Sequence, residues 1–170
     1  LASLETVTTG TPPTTVTGTS EVTKHVQQAY ASWKLPTATA IVVDAGKFVT
    51  SAGAEVIEAK DDWLYTRSLL FGYAIPFTHT GVRATATVTD TLAVQGLVAN
   101  GWDVGVDNNR AKTFGASALY ADAAAGRSAT ATMIVGKEAD RVRVLADLVL
   151  GLTVGAVALN APQAAMLGDP

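Results

Sequence analysis

The chain has no cysteine, two histidines and little charge, with 16% of its 170 residues Asp, Glu, Lys or Arg. The missing cysteines exclude disulfides, thiolate metal sites and a cysteine nucleophile. His25 and His79 form no His-x-x-x-His pair, and neither a Gly-x-Ser-x-Gly elbow nor a glycine-rich phosphate cradle occurs. Asp103-Val-Gly-Val-Asp107-Asn-Asn109 alternates oxygen ligands as calcium loops do, but it lacks their closing glutamate and central glycine. No metal, no cofactor and no catalysis are expected. Net charge is −3 with no Lys/Arg stripe, so nucleic acid is not an expected partner. No Met, basic start or apolar leader opens the chain at Leu1, which reads as processed or cut from something larger.

A long uncharged run is nearly absent too. Leu148–Leu167 has the length of a membrane helix. Gly151, Thr153, Gly155, Asn160, Pro162 and Gln163 interrupt it, and the Arg141-Val-Arg143-Val alternation runs into it. Two strands joined at Gly151-Leu-Thr153 suit it better.

Strict alternation is what the chain does have. Val82, Ala84, Ala86 and Val88 oppose Arg83, Thr85, Thr87 and Thr89; Ala129, Ala131, Met133 and Val135 oppose Ser128, Thr130, Thr132 and Ile134. Phe114, Ala116, Ala118 and Tyr120 oppose Thr113, Gly115, Ser117 and Leu119. A period of two is β-strand. Each ribbon has an apolar face that needs a second sheet or lipid, and a small, polar face that needs water.

The expected organisation is a Thr-rich loop or edge segment over 1–24, then a β domain over 25–170. About eight strands are expected: 25–35, 38–49, 81–89, 91–99, 112–121, 127–136, 140–150 and 151–160. Turn chemistry marks Leu35-Pro-Thr37, Thr89-Asp-Thr91, Ala125-Gly-Arg127 and Lys137-Glu-Ala-Asp140. Two connections are long, Thr50–Gly81 and Asn100–Ala111. Short turns at one end and long loops at the other suit a transmembrane barrel and also many soluble meanders. Lys34 shares a face with Gln28, Tyr30 and Ser32, and Asp44 opposes Val43. Arg141, Arg143 and Asp147 share another polar face. Charges of both signs fit a water-filled lumen, or equally the outer face of a β-sandwich. The 50–81 connection, with Trp63, Tyr65, Leu69, Leu70, Phe71, Tyr73, Ile75 and Phe77, is too apolar to be solvated and must pack on something.

Ordered strings run from residue 27 to 115: Gln28-Ala-Tyr-Ala-Ser-Trp-Lys-Leu-Pro36, Asp44-Ala-Gly-Lys-Phe48 with Gly53-Ala-Glu55, Tyr65-Thr-Arg-Ser68, and Ala74-Ile-Pro-Phe77. His79-Thr-Gly-Val-Arg83, Asn100-Gly-Trp-Asp103, and Asp107-Asn-Asn109 with Lys112-Thr-Phe-Gly115 continue the series. In order and spacing they resemble the β-barrel porins of the porin-2 group of bacterial outer membranes. Weaker likeness continues at Leu145-Ala-Asp-Leu-Val149 and Val157-Ala-Leu-Asn160.

The resemblance implies an all-β, antiparallel up-and-down transmembrane β-barrel that passes small hydrophilic solutes, its partners being membrane lipid and those solutes, with a homo-oligomer allowed. The loop after Phe48 would enter the channel, and Glu55, Glu58, Lys60, Asp61, Asp62, Arg67 and Arg83 become the pore and constriction candidates. Lys34, Asp44, Arg141, Arg143 and Asp147 would face the lumen, while Trp33, Trp102, Phe114 and Tyr120 would sit at the lipid interface. Barrels of this group are larger than eight strands, and the chain ends Met166-Leu-Gly-Asp-Pro170 without a closing aromatic, which suggests a partial chain. An eight-stranded interior is filled by side chains, so either further strands complete the barrel or the long loop lies outside it. The competing reading is a soluble all-β module that binds a partner, or self-assembles, through the aromatic loop or open sheet edges.

Overall fold

In the computed structural model, residues 5–9, 14–18, 25–62, 64–105, 111–138, 141–154 and 157–167 are described. Strands β1 (Glu5–Thr9) and β2 (Thr14–Gly18) pair as a separate antiparallel ribbon within the Thr-rich start. The other eight strands form one sheet: β3 (Ala29–Leu35), β4 (Ala40–Val49), β5 (Thr78–Thr89), β6 (Leu92–Ala99), β7 (Thr113–Asp122), β8 (Arg127–Glu138), β9 (Arg141–Val154) and β10 (Val157–Leu167). Each pairs antiparallel with its neighbour in sequence, so the order is up-and-down from β3 to β10. The alternating segments therefore became strands. A one-residue slip would have turned every aliphatic side chain to the wrong face.

Several boundaries differ from expectation: β3 starts at Ala29 rather than 25, and β10 runs over 157–167 rather than 151–160. No turn occurs at Gly151-Leu-Thr153; β9 runs through to Val154, with Gly151 opposite both Ser128 and Asn160. Alternation continues across that glycine, because Leu148, Leu150 and Leu152 all keep to one face. Strand β5 starts at Thr78 rather than Gly81, because His79 pairs across from Phe48. No helix of the described residues is long and apolar enough to cross a membrane.

Cross-strand register sorts the sheet into two faces. One carries Trp33, Val82, Val94, Val98, Phe114, Tyr120, Met133, Val142, Leu148, Leu150 and Leu152, all exposed, Phe114 at 59% and Tyr120 at 38%. The opposite face carries three rows running across the strands: Ser32, Asp44, Arg83, Leu97, Gly115, Ile134 and Leu145; Lys34, Val42, Thr85, Gln95, Ser117, Thr132 and Asp147; and Tyr30, Gly46, Gly81, Ala99, Thr113, Gly136 and Arg143. What little core exists lies on this second face: Ile134 and Leu145 are fully buried against Ala52 and Ile75 of the long connection, and Phe48 packs with Leu97 and Ala99. Each such buried aliphatic side chain is worth roughly 1.5–3 kcal/mol.

The 50–77 connection lies on that polar face. It contains a 3-10 turn (Ala59–Asp61) and a one-turn helix α1 (Leu69–Tyr73), whose N-cap Ser68 accepts from the Phe71 amide at 3.1 Å. Its two ends meet where Thr50 N donates to Phe77 O at 3.0 Å. The connection thus lies against the polar face of the sheet and not the aliphatic one.

Glycine in the third row is a matter of space. A Cβ on Gly81 would sit 2.1 Å from the Val98 carbonyl oxygen and 2.7 Å from Ala99 Cα, whereas one on Gly96, on the aliphatic face, meets nothing within 4 Å. Gly81→Ala is therefore expected to lose about 1–3 kcal/mol, read as a lower fraction of the heat-modifiable folded band on gels. Gly96→Ala should fold as the parent does; equal yields of the two variants would contradict this packing.

Candidate functional site

The segment just after β4 is hydrogen-bonded to side chains of three strands, β7, β8 and β9. Ser51 Oγ lies 3.2 Å from Ser117 Oγ of β7, and Thr132 Oγ1 of β8 donates to Ser51 O at 3.3 Å and to Ser117 Oγ at 3.0 Å. Gly53 N donates to Asp147 Oδ2 of β9 at 2.8 Å. Small hydroxyls at Ser117 and Thr132 let the backbone come this close. The crossing places the remainder of the loop, residues 54–74, over the polar face.

Within that remainder the charged candidates mostly satisfy one another. Arg67 pairs with Asp62, donates to Ile57 O at 3.0 Å and lies 4.8 Å over the Phe71 ring. Lys60 pairs with Asp61 at the exposed 3-10 turn, and that contact raises the lysine pKa. Glu58 accepts from Gln27, and Glu55 accepts from Ser68 N at 3.0 and 3.1 Å and from Ser68 Oγ at 2.7 Å. Four carboxylates against two cations leave this set at net −2. The partners of Glu55 and Glu58 are neutral.

On the sheet, Arg83 Nε donates to Asp44 Oδ2 at 2.8 Å, Ser32 donates to the other oxygen of Asp44, and Arg83 NH1 reaches Val49 O at 3.4 Å. Its guanidinium lies 4.5 Å over Phe48 and 5.5 Å from Tyr30. Arg83 is thus clamped at the root of the loop. Register places Lys34, Asp44, Arg141, Arg143 and Asp147 on the loop-bearing face: Lys34 is exposed on β3, Arg141 is exposed opposite Glu138, and Arg143 lies 5.3 Å over Trp102.

Trp33, Phe114 and Tyr120 point away from the loop, on the aliphatic face. Trp102 does not join them, which corrects its expected place at the lipid interface. It packs half-buried against the Ala52, Ile75, Ile134 and Leu145 cluster. The reason lies one residue on. Asp103 adopts a left-handed backbone (φ 57°) and accepts from Phe77 N and Thr78 N, both at 2.7 Å, which folds residues 100–105 toward the loop root. Burial holds the Asp103 carboxyl above the usual range against the opposing pull of those two amides. Asp107-Asn-Asn109, Trp63 and Asp140 lie outside the described residues.

Sequence reasoning missed several members of this site. His79 is 1% exposed, with Nε2 at 3.2 Å from Thr50 Oγ1, and Ser51, Ser117 and Thr132 form the crossing. The polar parity of Ser117 and Thr132 was visible; their shared partner was not. An open groove of about 850 Å³ runs beside the loop root between Lys47, Thr78, Asp103, Gln27, Phe71 and Phe77. Among the described residues no three His, Cys, Asp or Glu side chains gather as a metal cluster.

A family model described as "Putative beta-barrel porin-2, OmpL-like" matches residues 4–164. No curated protein and no solved structure matches the chain.

Breaking the Asp44–Arg83 pair leaves a half-buried charge without its partner, for which losses of about 3–5 kcal/mol are the upper reference. Asp44→Ala should lower the temperature at which the folded gel band converts to the unfolded one, and adding Arg83→Met should recover part of the loss. A double variant no better than the single one would show that the pair is not a unit.

Proposed function

The chain belongs to the OmpL-like porin-2 family of β-barrel porins, and on that premise we propose that it forms an outer-membrane channel for passive diffusion of small hydrophilic solutes, narrowed by residues 50–77. The observation that carries this reading is the division of labour between the faces. Among the described side chains the aliphatic face exposes large apolar groups on β3 and β5 to β9, and the loop sits on the polar face. Soluble monomers rarely expose contiguous apolar patches beyond a few hundred Å², so a bare aliphatic sheet face argues for hydrocarbon as its solvent and against the soluble binding module.

Membrane lipid and the permeating solutes are then the partners. In hydrocarbon no sheet edge is left unpaired, yet the outer strands β3 and β10 each have one strand neighbour among the described residues. An eight-stranded barrel has no room for a loop in its interior. We therefore take the eight strands as one wall of a wider barrel, with β3 and β10 paired to strands beyond them. Exposed Leu64, Tyr65, Leu69 and Tyr73 on the loop would face the bore. The charged set from Glu55 to Arg67, with Arg83 behind it, would set the local field at the constriction.

Two measurements check this. With Trp63 replaced by Phe, a variant keeping Trp33 alone should lose much of its fluorescence in vesicles of brominated phospholipid, and one keeping Trp102 alone should lose little. Equal quenching would remove lipid from the aliphatic face. In planar bilayers the folded protein should give ohmic channels, and Glu58→Lys with Asp61→Lys should move the reversal potential toward anions. Absence of conductance would sink the channel; an unmoved potential would take the loop out of the bore.

A further inference from the structure

We propose that Lys112 and Lys137, with Lys47 in the same row, bind the phosphate of an anionic lipid headgroup at the loop-bearing end of the sheet. Strand parity puts all three on the aliphatic face. Lys47 stands opposite Thr80, and Thr80 O accepts from Asn100 N at 2.9 Å. Lys112 Nζ lies 3.5 Å from Asn100 Oδ1. Phe114 opposes Val135, and two residues further along that register Lys112 comes opposite Lys137. The step between agrees, since a Cβ on Gly136 would run into Thr113 Oγ1. Lys137 in turn opposes Val142. One row of the aliphatic face, from β4 to β9, therefore reads Lys47, Thr80, Asn100, Lys112, Lys137, Val142.

The row borders an apolar band. The next row on that face, Ala45, Val82, Val98, Phe114, Val135 and Val144, has no polar side chain, and neither have the two after it. At the turn end Asp122 opposes Arg127, so charge there cancels. Ten residues separate Lys112 from Asp122 along β7, roughly 34 Å at about 3.4 Å each. With strands tilted about 35–45°, this matches the ~25 Å apolar band of a membrane barrel. On the reading that lipid covers this face, the lysines stand at headgroup level, their stems along apolar surface and their ammonium groups in the polar layer. Lysines directly opposite each other repel. The row itself carries no carboxylate, Lys137 is exposed, and Asp103 acts on Lys47 at the other end. An anion between Lys112 and Lys137 removes the repulsion, and at a hydrocarbon boundary the abundant anion is a lipid phosphate. The inference rests on lipid at the aliphatic face and needs no solute to pass.

The test is native mass spectrometry of the full-length protein folded in neutral detergent, titrated with phosphatidylglycerol or with phosphatidylcholine of the same chains. At about fivefold per lysine, the anionic lipid should bind roughly thirtyfold more tightly. Lys112→Gln with Lys137→Gln should abolish that preference, whereas Lys112→Arg with Lys137→Arg should keep it. Arg127→Gln, at the turn end of the same face, should leave it unchanged. Equal binding of the two lipids overturns the proposal without any variant having to fold. A preference that survives the double Gln variant, or falls as far in Arg127→Gln, overturns it too. Displacement of the lipid by millimolar inorganic phosphate would assign the row to a free anion instead. Quenching of Trp33 by brominated lipid separates the two levels: if it occurs without a headgroup preference, only the lysine site fails, and if it does not occur, the lipid-facing reading falls as well.

Discussion

The constraint on which everything else depends is that one face of the sheet is aliphatic and, among the described residues, has no protein layer over it. Water satisfies such a face poorly, and on the channel reading hydrocarbon covers it. Once that is fixed, the other face has to supply the polar interior, and the loop has to lie there. Backbone amides are paired strand to strand, which is the one sheet arrangement that lipid tolerates. The sheet's small residues follow as well. Gly46, Gly81, Ala99, Thr113 and Gly136 form a thin row beside the loop root, and the bulkier Phe48 and His79 fit next to it.

Inside, polarity is spent on fastening rather than left facing water. The crossing at Ser51–Gly53 uses hydroxyls and amides, and the arginines at 67 and 83 are held by a carboxylate, a carbonyl and an aromatic face each. Guanidinium suits this use because its planar fork donates in several directions while its faces stack. Such a root keeps the loop's path fixed, and the excess of carboxylates falls on the loop rather than the wall. Trp102 adds an apolar plate between Arg143 and the cluster under the loop.

Alternation made the strands legible, since an error of one residue inverts a face. Ends were less so: Gly151 and Thr153 look like a turn by composition, but the leucines on either side keep the beat and β9 runs on. The loop's entry to the polar side followed from its aromatic content together with the family likeness. Its fastening did not, because Gly53 and Asp147 stand in different thirds of the chain and neither residue type is distinctive alone. Trp102 was misplaced for a similar reason. Tryptophan near a strand end often marks a membrane interface, and only the backbone reversal at Asp103 sends this one inward.

Every strand pairing in the large sheet joins sequence neighbours, whereas the loop's bond to β9 spans 94 residues. Local pairings cost little closure entropy and distant ones more. Hairpins can therefore zip together one after another, but the connection's fastening through β7, β8 and β9 is complete only when the seventh strand of the sheet has arrived. On the channel reading, the wall is then built before its obstruction, and a nascent barrel would pass through a stage with an open bore.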